Sequence, residues 1–251
     1  MNANLQIRTS GWAALYKLGG ISALLLIVII IIQGFVSAIA PQPLDGTALD
    51  WFRLFQKNYI IGLIDFELLM VVYTILCIPI FLSLYILLRH VSPSWTAIYL
   101  VLNVIGVIGF ITARPAFEML YLSNGYSTAA TEAQRAIFLA GGEAKLAMFH
   151  GTAFHISYLL GSITGLIISL VMLKTNCFSK MTSYVRIASS VFDFGLYVPI
   201  VGIYISMFSV VFLFIWNILI ARRLFQLAKD TSKETSNEIE SSFHVLPTHV
   251  N

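Results

Sequence analysis

Charged side chains are scarce in this sequence. Asp, Glu, Lys and Arg make up 11% of its 251 residues, against about 25% in an ordinary soluble domain. Hydrophobic residues make up 58% and the mean hydropathy is +0.86, so there is too little polar surface to cover a water-soluble globule of this size. The composition therefore excludes an ordinary soluble domain and predicts a polytopic membrane protein.

The sequence also has only two cysteines and lacks several common catalytic motifs. Cys77 lies inside an apolar run and Cys177 in a short basic loop, and two cysteines make no metal framework. The sequence contains no nucleotide-binding loop, no serine nucleophile elbow and no CxxC pair. The net charge of +3 is too small to indicate nucleic-acid binding. No cofactor is expected, and a role other than catalysis is favoured.

Four apolar runs reach the roughly 20 residues that a bilayer-spanning helix needs. They cover residues 18–40, 64–88, 95–113 and 147–173. A further run from Tyr184 to Arg222 would be nearly 60 Å long as one helix, about twice the thickness of the bilayer core. Proline and glycine instead predict a turn near Pro199–Ile203. The two helices that result cover residues 184–201 and 204–222. The predicted fold class is therefore an all-α membrane bundle of six transmembrane helices.

Segments outside these helices are predicted to be short, except at the C-terminus. Residues 1–223 form the predicted membrane domain. Residues 224–251 are expected to be a disordered cytoplasmic tail, because they hold too few apolar side chains to fold alone. Alternating apolar and charged residues between 49 and 58 predict a short helix in the membrane interface, with Trp51 at headgroup level. A second short amphipathic helix is expected at 132–140.

Basic residues are divided unevenly between the two sides of the predicted bundle. The side that holds both termini carries ten of them: Arg8, Lys17, Arg89, Lys174, Lys180, Arg186, Arg222, Arg223, Lys229 and Lys233. The other side carries five: Arg53, Lys57, Arg114, Arg135 and Lys145. Because cytoplasmic loops are enriched in Lys and Arg, both termini are predicted to be cytoplasmic and the short interfacial helices to lie on the outer side.

Two stretches resemble a known protein family. They are FHGTAFHISYLLGSITGLIISLVMLKTNCFSK, residues 149–180, and YVPIVGIYISMFSVVFLFIWNILIARRLFQL, residues 197–227. Both are similar to a bacterial family of small multi-pass membrane proteins known only as a domain of unknown function. The likeness is strongest over roughly the C-terminal 40% of the chain. It implies a six-helix protein of the bacterial inner membrane and supplies no activity, cofactor or catalytic residue.

Ionisable side chains inside the predicted bundle need partners or a function, because each costs about 2.5–3.5 kcal/mol at the centre of a bilayer. Eight polar residues are candidates for a ligand or proton pocket: Asp65, Glu67, Asn103, Arg114, Glu143, His150, His155 and Asp193. Most fall near the outer ends of the predicted helices, with Asn103 and Asp193 closer to the midplane. One interpretation is a closed network in which Arg114 pairs with the neighbouring carboxylates. The other is an outward-facing pocket for a headgroup, an ion or a proton.

The two histidines are not spaced as ligands of one metal ion. His150 and His155 lie five residues apart, which separates their directions on a helix by roughly 140°. Metal ligands on one helix normally lie three or four residues apart, so no metal site is predicted from this pair. A site that combines His155 with carboxylates of other helices remains an alternative.

Asp193 has two interpretations. It is either a buried acid that desolvation keeps protonated, bonded to Asn103, Ser189 or a backbone carbonyl, or the proton-binding residue of a coupled transporter. Nearby in the chain order, Gly161 and Gly165 form a small-xxx-small face. Such a face predicts close helix packing and puts the fourth span at the centre of the bundle.

Three functions therefore compete. A structural or accessory protein, slightly favoured, predicts ion pairs that close the outer cluster and leave no cavity. A proton-coupled small-molecule transporter predicts a cavity that reaches Asp193. An intramembrane, metal-dependent, lipid-modifying enzyme predicts carboxylates that converge on His155. The expected partners are membrane lipid and either further copies of the chain or a membrane partner protein, with no nucleic acid. The expected location is the bacterial plasma membrane.

Overall fold

The computed structural model describes residues 12–44 and 46–244, which form ten α-helices and one 3-10 helix. The α-helices are α1 (Ala13–Ile39), α2 (Ala48–Lys57), α3 (Tyr59–Asp65), α4 (Leu68–Leu88), α5 (Pro93–Thr112), α6 (Ala116–Thr128), α7 (Glu132–Phe149), α8 (Thr152–Leu173), α9 (Lys180–Phe194) and α10 (Gly202–His244). The 3-10 helix, Gly195–Tyr197, follows α9. The predicted all-α class is confirmed over these residues.

Five helical segments of the described chain are long and apolar enough to cross a membrane. They are Ala13–Ile39, Leu68–Leu88, Pro93–Thr128, Glu132–Leu173 and Gly202–Lys233. Large apolar side chains on their outer faces are exposed, as a surface in contact with lipid requires. On α1, for example, Ile31 is 56% and Phe35 67% exposed.

Six helices close around a central space and form the unit termed the bundle. α1 packs against α4, α4 against α5, α5 against α8, α8 against α9, α9 against α10, and α10 again against α1. One end of the bundle is filled by an apolar core that includes Leu26, Leu84, Ile168, Ile220 and Leu224. Each helix thus has two neighbours, and the axis of the bundle is free to hold side chains from all six.

α9 is shorter than the sequence predicts. The segment expected to span residues 184–201 is α-helical only as far as Phe194. Val198 is extended (ψ 123°), because a residue that precedes a proline is disfavoured in the helical region. Ile200 then turns the chain with a left-handed φ of 70°.

The two ends of this segment nevertheless lie at opposite ends of α8. Just beyond the last turn of α8, the carbonyl of Cys177 accepts a hydrogen bond from Arg223 Nε at 2.6 Å. At the other end, Tyr197 donates its hydroxyl to the carbonyl of His155, in the first turn of α8, at 3.4 Å. Between Cys177 and Tyr197 the chain therefore runs the length of α8.

The short helices α2, α3, α6 and α7 form a second packed unit at one end of the bundle, termed the cap. Its core is separate from that of the bundle and consists of Ala48, Trp51, Phe52, Phe55, Phe66, Ala116, Met119, Leu146 and Phe149. The short helix predicted between 49 and 58 is present as α2, but Trp51, expected at headgroup level, is enclosed by the cap. Trp51 is 0% exposed, and its ring meets that of Phe66 edge-on with centroids 4.9 Å apart.

α7 also differs from its prediction, because the short helix expected at 132–140 continues through Gly141 and Gly142 to Phe149. Gly142 does not break the helix but allows it to pack closely against α2. A Cβ there would lie 2.7 Å from the ring of Phe52 and 2.8 Å from Ala48. The glycine lets α7 approach α2 in the cap.

α10 extends beyond its predicted end, so the structure differs from the expected disordered tail. Leu224 and Ala228 are buried, and Phe225 packs on Gly20 of α1, because these residues continue the apolar face of α10. The start of α1 therefore lies beside the far part of α10. Residues 245–251 of the predicted tail, and Arg8, lie outside the described residues.

We predict that Phe66→Ala lowers the free energy of unfolding by about 3–5 kcal/mol, because it leaves a cavity among packed aromatic rings. Phe66 is 0% exposed and contacts Trp51, Phe55 and Phe149. Thermal unfolding of the detergent-solubilised protein measures the loss. Phe117→Ala, at a residue of α6 that is 63% exposed, is the control and should change stability by about 0.5 kcal/mol or less. Equal losses in the two variants would contradict a packed cap.

Candidate functional site

Arg114 lies at the junction of bundle and cap, and its side chain is only 2% exposed. Its Nε donates to Glu67 Oε2, and its Nη1 donates to the carbonyls of Phe149, at 3.1 Å, and Ala113, at 3.3 Å. Three aromatic rings surround the guanidinium, those of Phe110, Phe149 and Phe154, with centroids 4.3–4.7 Å from its central carbon. Cation–π attraction therefore adds to the ion pair in a dry site.

Arg114 also joins three helix breaks at one level. Glu67 lies between α3 and α4 with a left-handed φ of 61°, Arg114 lies between α5 and α6, and Phe149 ends α7 just before α8. The last carbonyls of a helix have no intrahelical partner, and the guanidinium supplies one to Phe149. The pairing of Arg114 with Glu67, one of the two alternatives that the sequence leaves open for this cluster, is thus present.

The other outer candidates do not join Arg114 in one network. Glu143 Oε1 accepts from the amide of Ala48 at 2.8 Å and so caps the start of α2. His150 is exposed, follows α7 and packs edge-on against the ring of Phe149. Asp65 is 0% exposed and neither of its carboxylate oxygens has a hydrogen-bond partner among the described residues. Burial raises the pKa of Asp65 from 3.8 to about 6, because the charged form loses its hydration.

A cavity of about 230 Å³ lies inside the bundle, and all six bundle helices contribute to its wall. Apolar residues at one end, among them Leu26, Ile168 and Trp216, belong to the core of the bundle. Phe110, which stacks on Arg114, also lines the cavity. The polar groups on its wall include Asn103, Tyr158, Thr164, Arg186 and Asp193. Two of the eight predicted candidates, Asn103 and Asp193, thus share this cavity.

α9 turns its polar face toward the cavity and its apolar face outward. Its buried residues are Thr182, Ser183, Ser189, Ser190 and Asp193, whereas Val191 is 56% exposed. Arg186 and Asp193 both line the cavity. Because seven residues make nearly two helical turns, these two side chains share one face, about 10 Å apart along the helix axis.

Arg186, counted from the sequence among the basic residues on the side of the termini, instead lies inside the bundle. Its guanidinium donates to the carbonyl of Gly161 at 3.4 Å and to Ser189 Oγ at 3.2 Å. It also lies over the ring of Trp216, 5.4 Å from the centroid. Arg186 therefore projects from α9 toward α8 and α10, into the wall of the cavity.

Gly165 makes room for this arrangement. A Cβ at Gly165 would lie 2.2 Å from Ser190 Oγ and 2.7 Å from Arg186 Nη2. The close approach expected from the small-xxx-small face is therefore found at Gly165. At Gly161 the space beside the backbone is open, and the functional contribution of that residue is its carbonyl.

Asp193, 9% exposed, is bound by a tyrosine rather than by Asn103 or Ser189. Tyr158 donates its hydroxyl to Asp193 Oδ1 at 3.3 Å, and the same hydroxyl bonds to Ser206 Oγ. Asn103 instead donates to the carbonyl of Tyr99 at 2.7 Å and accepts from Thr164 at 3.2 Å. Tyr158 thus fixes the carboxylate at the cavity wall.

His155 lies outside the cavity and is exposed. Its ring packs near that of Tyr197, with centroids 5.8 Å apart, and Tyr197 Oη lies 3.5 Å from His155 Nδ1. Within residues 12–44 and 46–244, no group of three or more His, Cys, Asp or Glu residues is arranged to hold a metal ion.

Sequence reasoning missed Tyr158, Arg186 and Trp216 as cavity residues. One signal was available for Arg186. Polar residues recur at helical spacing through an otherwise apolar segment: Thr182, Arg186, Ser189, Ser190 and Asp193. That spacing indicates a polar face on one side of a helix, and within a membrane such a face must turn toward the protein interior.

Several long apolar helices with exposed outer faces define an integral, multi-pass membrane protein, here closed around a cavity with a mainly apolar wall and a few polar groups. Residues 21–225 match the family described as a domain of unknown function, DUF4386, and the chain belongs to that family. The resemblance seen in the sequence is thereby confirmed. No curated protein and no solved structure matches the chain.

We predict that Arg114→Gln lowers the free energy of unfolding by about 1–3 kcal/mol, because it leaves the half-buried Glu67 carboxylate and the Phe149 carbonyl without their donor. Arg114→Lys should not restore stability, since an ammonium cannot stack or donate as a planar fork. Thermal unfolding in detergent measures both. Arg135→Gln, which removes an exposed pair with Glu132, is the control and should cost about 0–1 kcal/mol. Arg114 is not the junction described if its loss costs no more than that of Arg135.

We also predict that Asp65 makes stability fall as the pH rises from about 4 to about 6. Its pKa is higher in the folded protein than its ordinary value, so the unfolded chain releases the proton first and is favoured across this window. Asp65→Asn should remove that part of the pH dependence and raise the unfolding temperature at neutral pH. Glu118→Gln, at an exposed acid of α6, should keep the wild-type profile. An unchanged slope in Asp65→Asn would contradict the prediction.

Proposed function

We propose that this protein is a six-crossing carrier of the bacterial plasma membrane that binds a small molecule through an anionic group in its central cavity. The observation that carries the proposal is the Arg186 guanidinium on the cavity wall. Among the described residues, no carboxylate lies within 4.0 Å of it. A cation inside a membrane is costly and indicates a functional site, and an anionic ligand would provide the missing partner.

Two features support six crossings. The start of α1 lies beside the far part of α10, as the contact of Gly20 with Phe225 illustrates, so an even number of crossings fits. The segment from Cys177 to Tyr197 runs the length of α8, which makes α9 with its 3-10 turn the sixth. When Arg186 is left out of the count, the side with the termini still carries nine basic residues against five. This excess supports a cytoplasmic location for both ends.

Further donors near Arg186 support an anion site. Trp216 Nε1 and Ser190 Oγ are buried and have no hydrogen-bond partner among the described residues. The guanidinium lies over the Trp216 ring, and both Arg186 and Ser190 lie against Gly165. A planar guanidinium with neighbouring N–H and O–H donors suits a carboxylate or a phosphate. The cavity volume, about 230 Å³, is that of roughly eight liquid waters, which favours a small molecule over a whole phospholipid.

The cavity also helps to distinguish between the three competing functions. An accessory protein was expected to have ion pairs and no cavity; the Arg114–Glu67 pair fits that expectation, but the cavity does not. A transporter was expected to have a cavity that reaches Asp193, and Asp193 lines it. For the lipid-modifying enzyme, the groups beside His155 are the aromatic rings of Phe154 and Tyr197. The geometry therefore favours the carrier. Membrane lipid, and either a second copy or another membrane protein, stay the partners expected from the sequence.

We predict that the purified protein binds octanoate, an anionic probe small enough for the cavity, with a change in tryptophan fluorescence. Arg186→Gln should weaken this binding by about tenfold or more, because a hydrogen bond to a charged group is worth about 1.5–3 kcal/mol. Trp216→Phe identifies the part of the signal that comes from the cavity. Arg222→Gln removes an exposed arginine of α10 and should leave the affinity unchanged.

Arg186→Lys provides a second variant if the glutamine protein is poorly folded. It keeps the positive charge but loses the fork of donors, so it should bind octanoate more weakly than wild type and more tightly than Arg186→Gln. Equal affinities in wild type and Arg186→Gln, or an octanoate signal that survives Trp216→Phe unchanged, would contradict an anion site at Arg186.

A further inference from the structure

The geometry points to a zwitterionic ligand, whose anionic group is held by Arg186 and whose ammonium group is held by Asp193 and Tyr158. The inference rests on the proposed function, because it uses the same cavity and the same anion site. It adds a second recognition element and so defines the class of molecule: a short amphiphile with opposite charges at its two ends.

The first argument is charge compensation. Arg186 and Asp193 both line the cavity but form no ion pair with each other. Asp193 is buried and Arg186 is half-buried, so each charge has lost part of its hydration. A simple anion would compensate Arg186 and add negative charge near Asp193. A zwitterion compensates both residues at once, so it should be preferred over an anion of the same length.

The second argument is the chemistry at Asp193. Tyr158, which holds the carboxylate, itself lines the cavity and is fixed by Ser206. Its ring packs near those of Phe154 and Tyr197, with centroids 5.7 and 6.5 Å away. An ammonium next to a carboxylate and an aromatic ring gains both ionic and cation–π attraction. This end of the cavity is therefore suited to a cation, as the Arg186 end is to an anion.

The third argument is length. Arg186 and Asp193 project from one face of α9 about 10 Å apart along its axis. Phe81, Val107 and Leu213 are among the apolar residues that line the rest of the wall. A straight alkyl chain between the two charged groups matches such a wall. The Arg186 guanidinium bonds to Ser189, one turn closer to Asp193, so an extended ω-amino acid of at most about eight carbons, about 10 Å long, fits the α9 spacing.

The test compares three probes of equal length, octanoate, 8-aminooctanoate and octylammonium, by the Trp216-dependent fluorescence change. Wild type should bind 8-aminooctanoate about tenfold or more tightly than octanoate, since the ammonium adds a charged hydrogen bond. Asp193→Asn should abolish that advantage and leave octanoate affinity unchanged or higher. Arg186→Gln should weaken both acids. Asp230→Asn, at an exposed acid of α10, should behave as wild type.

Each result decides between the inference and the proposed function. Equal wild-type affinities for octanoate and 8-aminooctanoate, with Arg186→Gln still weakening both, overturn the zwitterion and leave the anion site standing. A preference for 8-aminooctanoate over octanoate that persists in Asp193→Asn separates the ammonium group from Asp193 and also overturns it. If octylammonium binds as tightly as 8-aminooctanoate, the zwitterion inference is likewise overturned. No Trp216 response to any probe contradicts both proposals.

A longer acid gives an independent check that does not remove the carboxylate. Asp193→Glu keeps the charge and moves it into the cavity by one methylene. The chain length that binds most tightly should then shift from 8-aminooctanoate toward 7-aminoheptanoate. An unchanged optimum in Asp193→Glu would separate Asp193 from the ammonium group and overturn the inference.

Discussion

Groups that cannot reach water must find partners inside the protein, and Arg114 meets this requirement for three chain segments at once. The breaks before α4, between α5 and α6, and before α8 would otherwise leave a half-buried carboxylate and a helix-end carbonyl without a donor. One guanidinium serves Glu67 and Phe149 and is itself held by aromatic rings. The left-handed backbone at Glu67, which costs of order 1–3 kcal/mol, persists because this pairing fixes it.

This junction also connects the cap to the cavity. Phe110 has one face toward the Arg114 guanidinium and lines the cavity on the other side. Any rearrangement of the cap that moves Arg114 must therefore move part of the cavity wall. The cap has its own packed core around Trp51 and Phe66, so it can act as one body against the bundle. The cap is thus a packed end of short helices that meets the bundle at Arg114, next to the cavity wall.

Much of this architecture could be predicted from the sequence, because apolar runs and their breaks are local signals. The helices of the bundle and the break at Arg114 follow from hydropathy and proline placement. The cap could not be predicted, because the apolar stripe around Trp51 specifies a buried face without saying whether lipid or protein covers it. Arg186 was misplaced for a related reason: a charge near the end of an apolar segment is counted with the loops, whereas only the direction of its helix face decides where it lies.

The two arginines that face the protein interior differ in how far the chain compensates their charge. Arg114 has a carboxylate, two carbonyls and three aromatic rings around it, so its charge is compensated within the chain. Arg186 has a carbonyl, a serine and the face of one indole, and the nearest acid on its own helix face is two turns away. Arg114 is buried and Arg186 half-buried, but only Arg186 lacks a carboxylate partner among the described residues, a place that a ligand entering the protein could take. An arginine whose charge is compensated within the chain stabilises the fold, whereas an arginine without a carboxylate partner can bind a ligand.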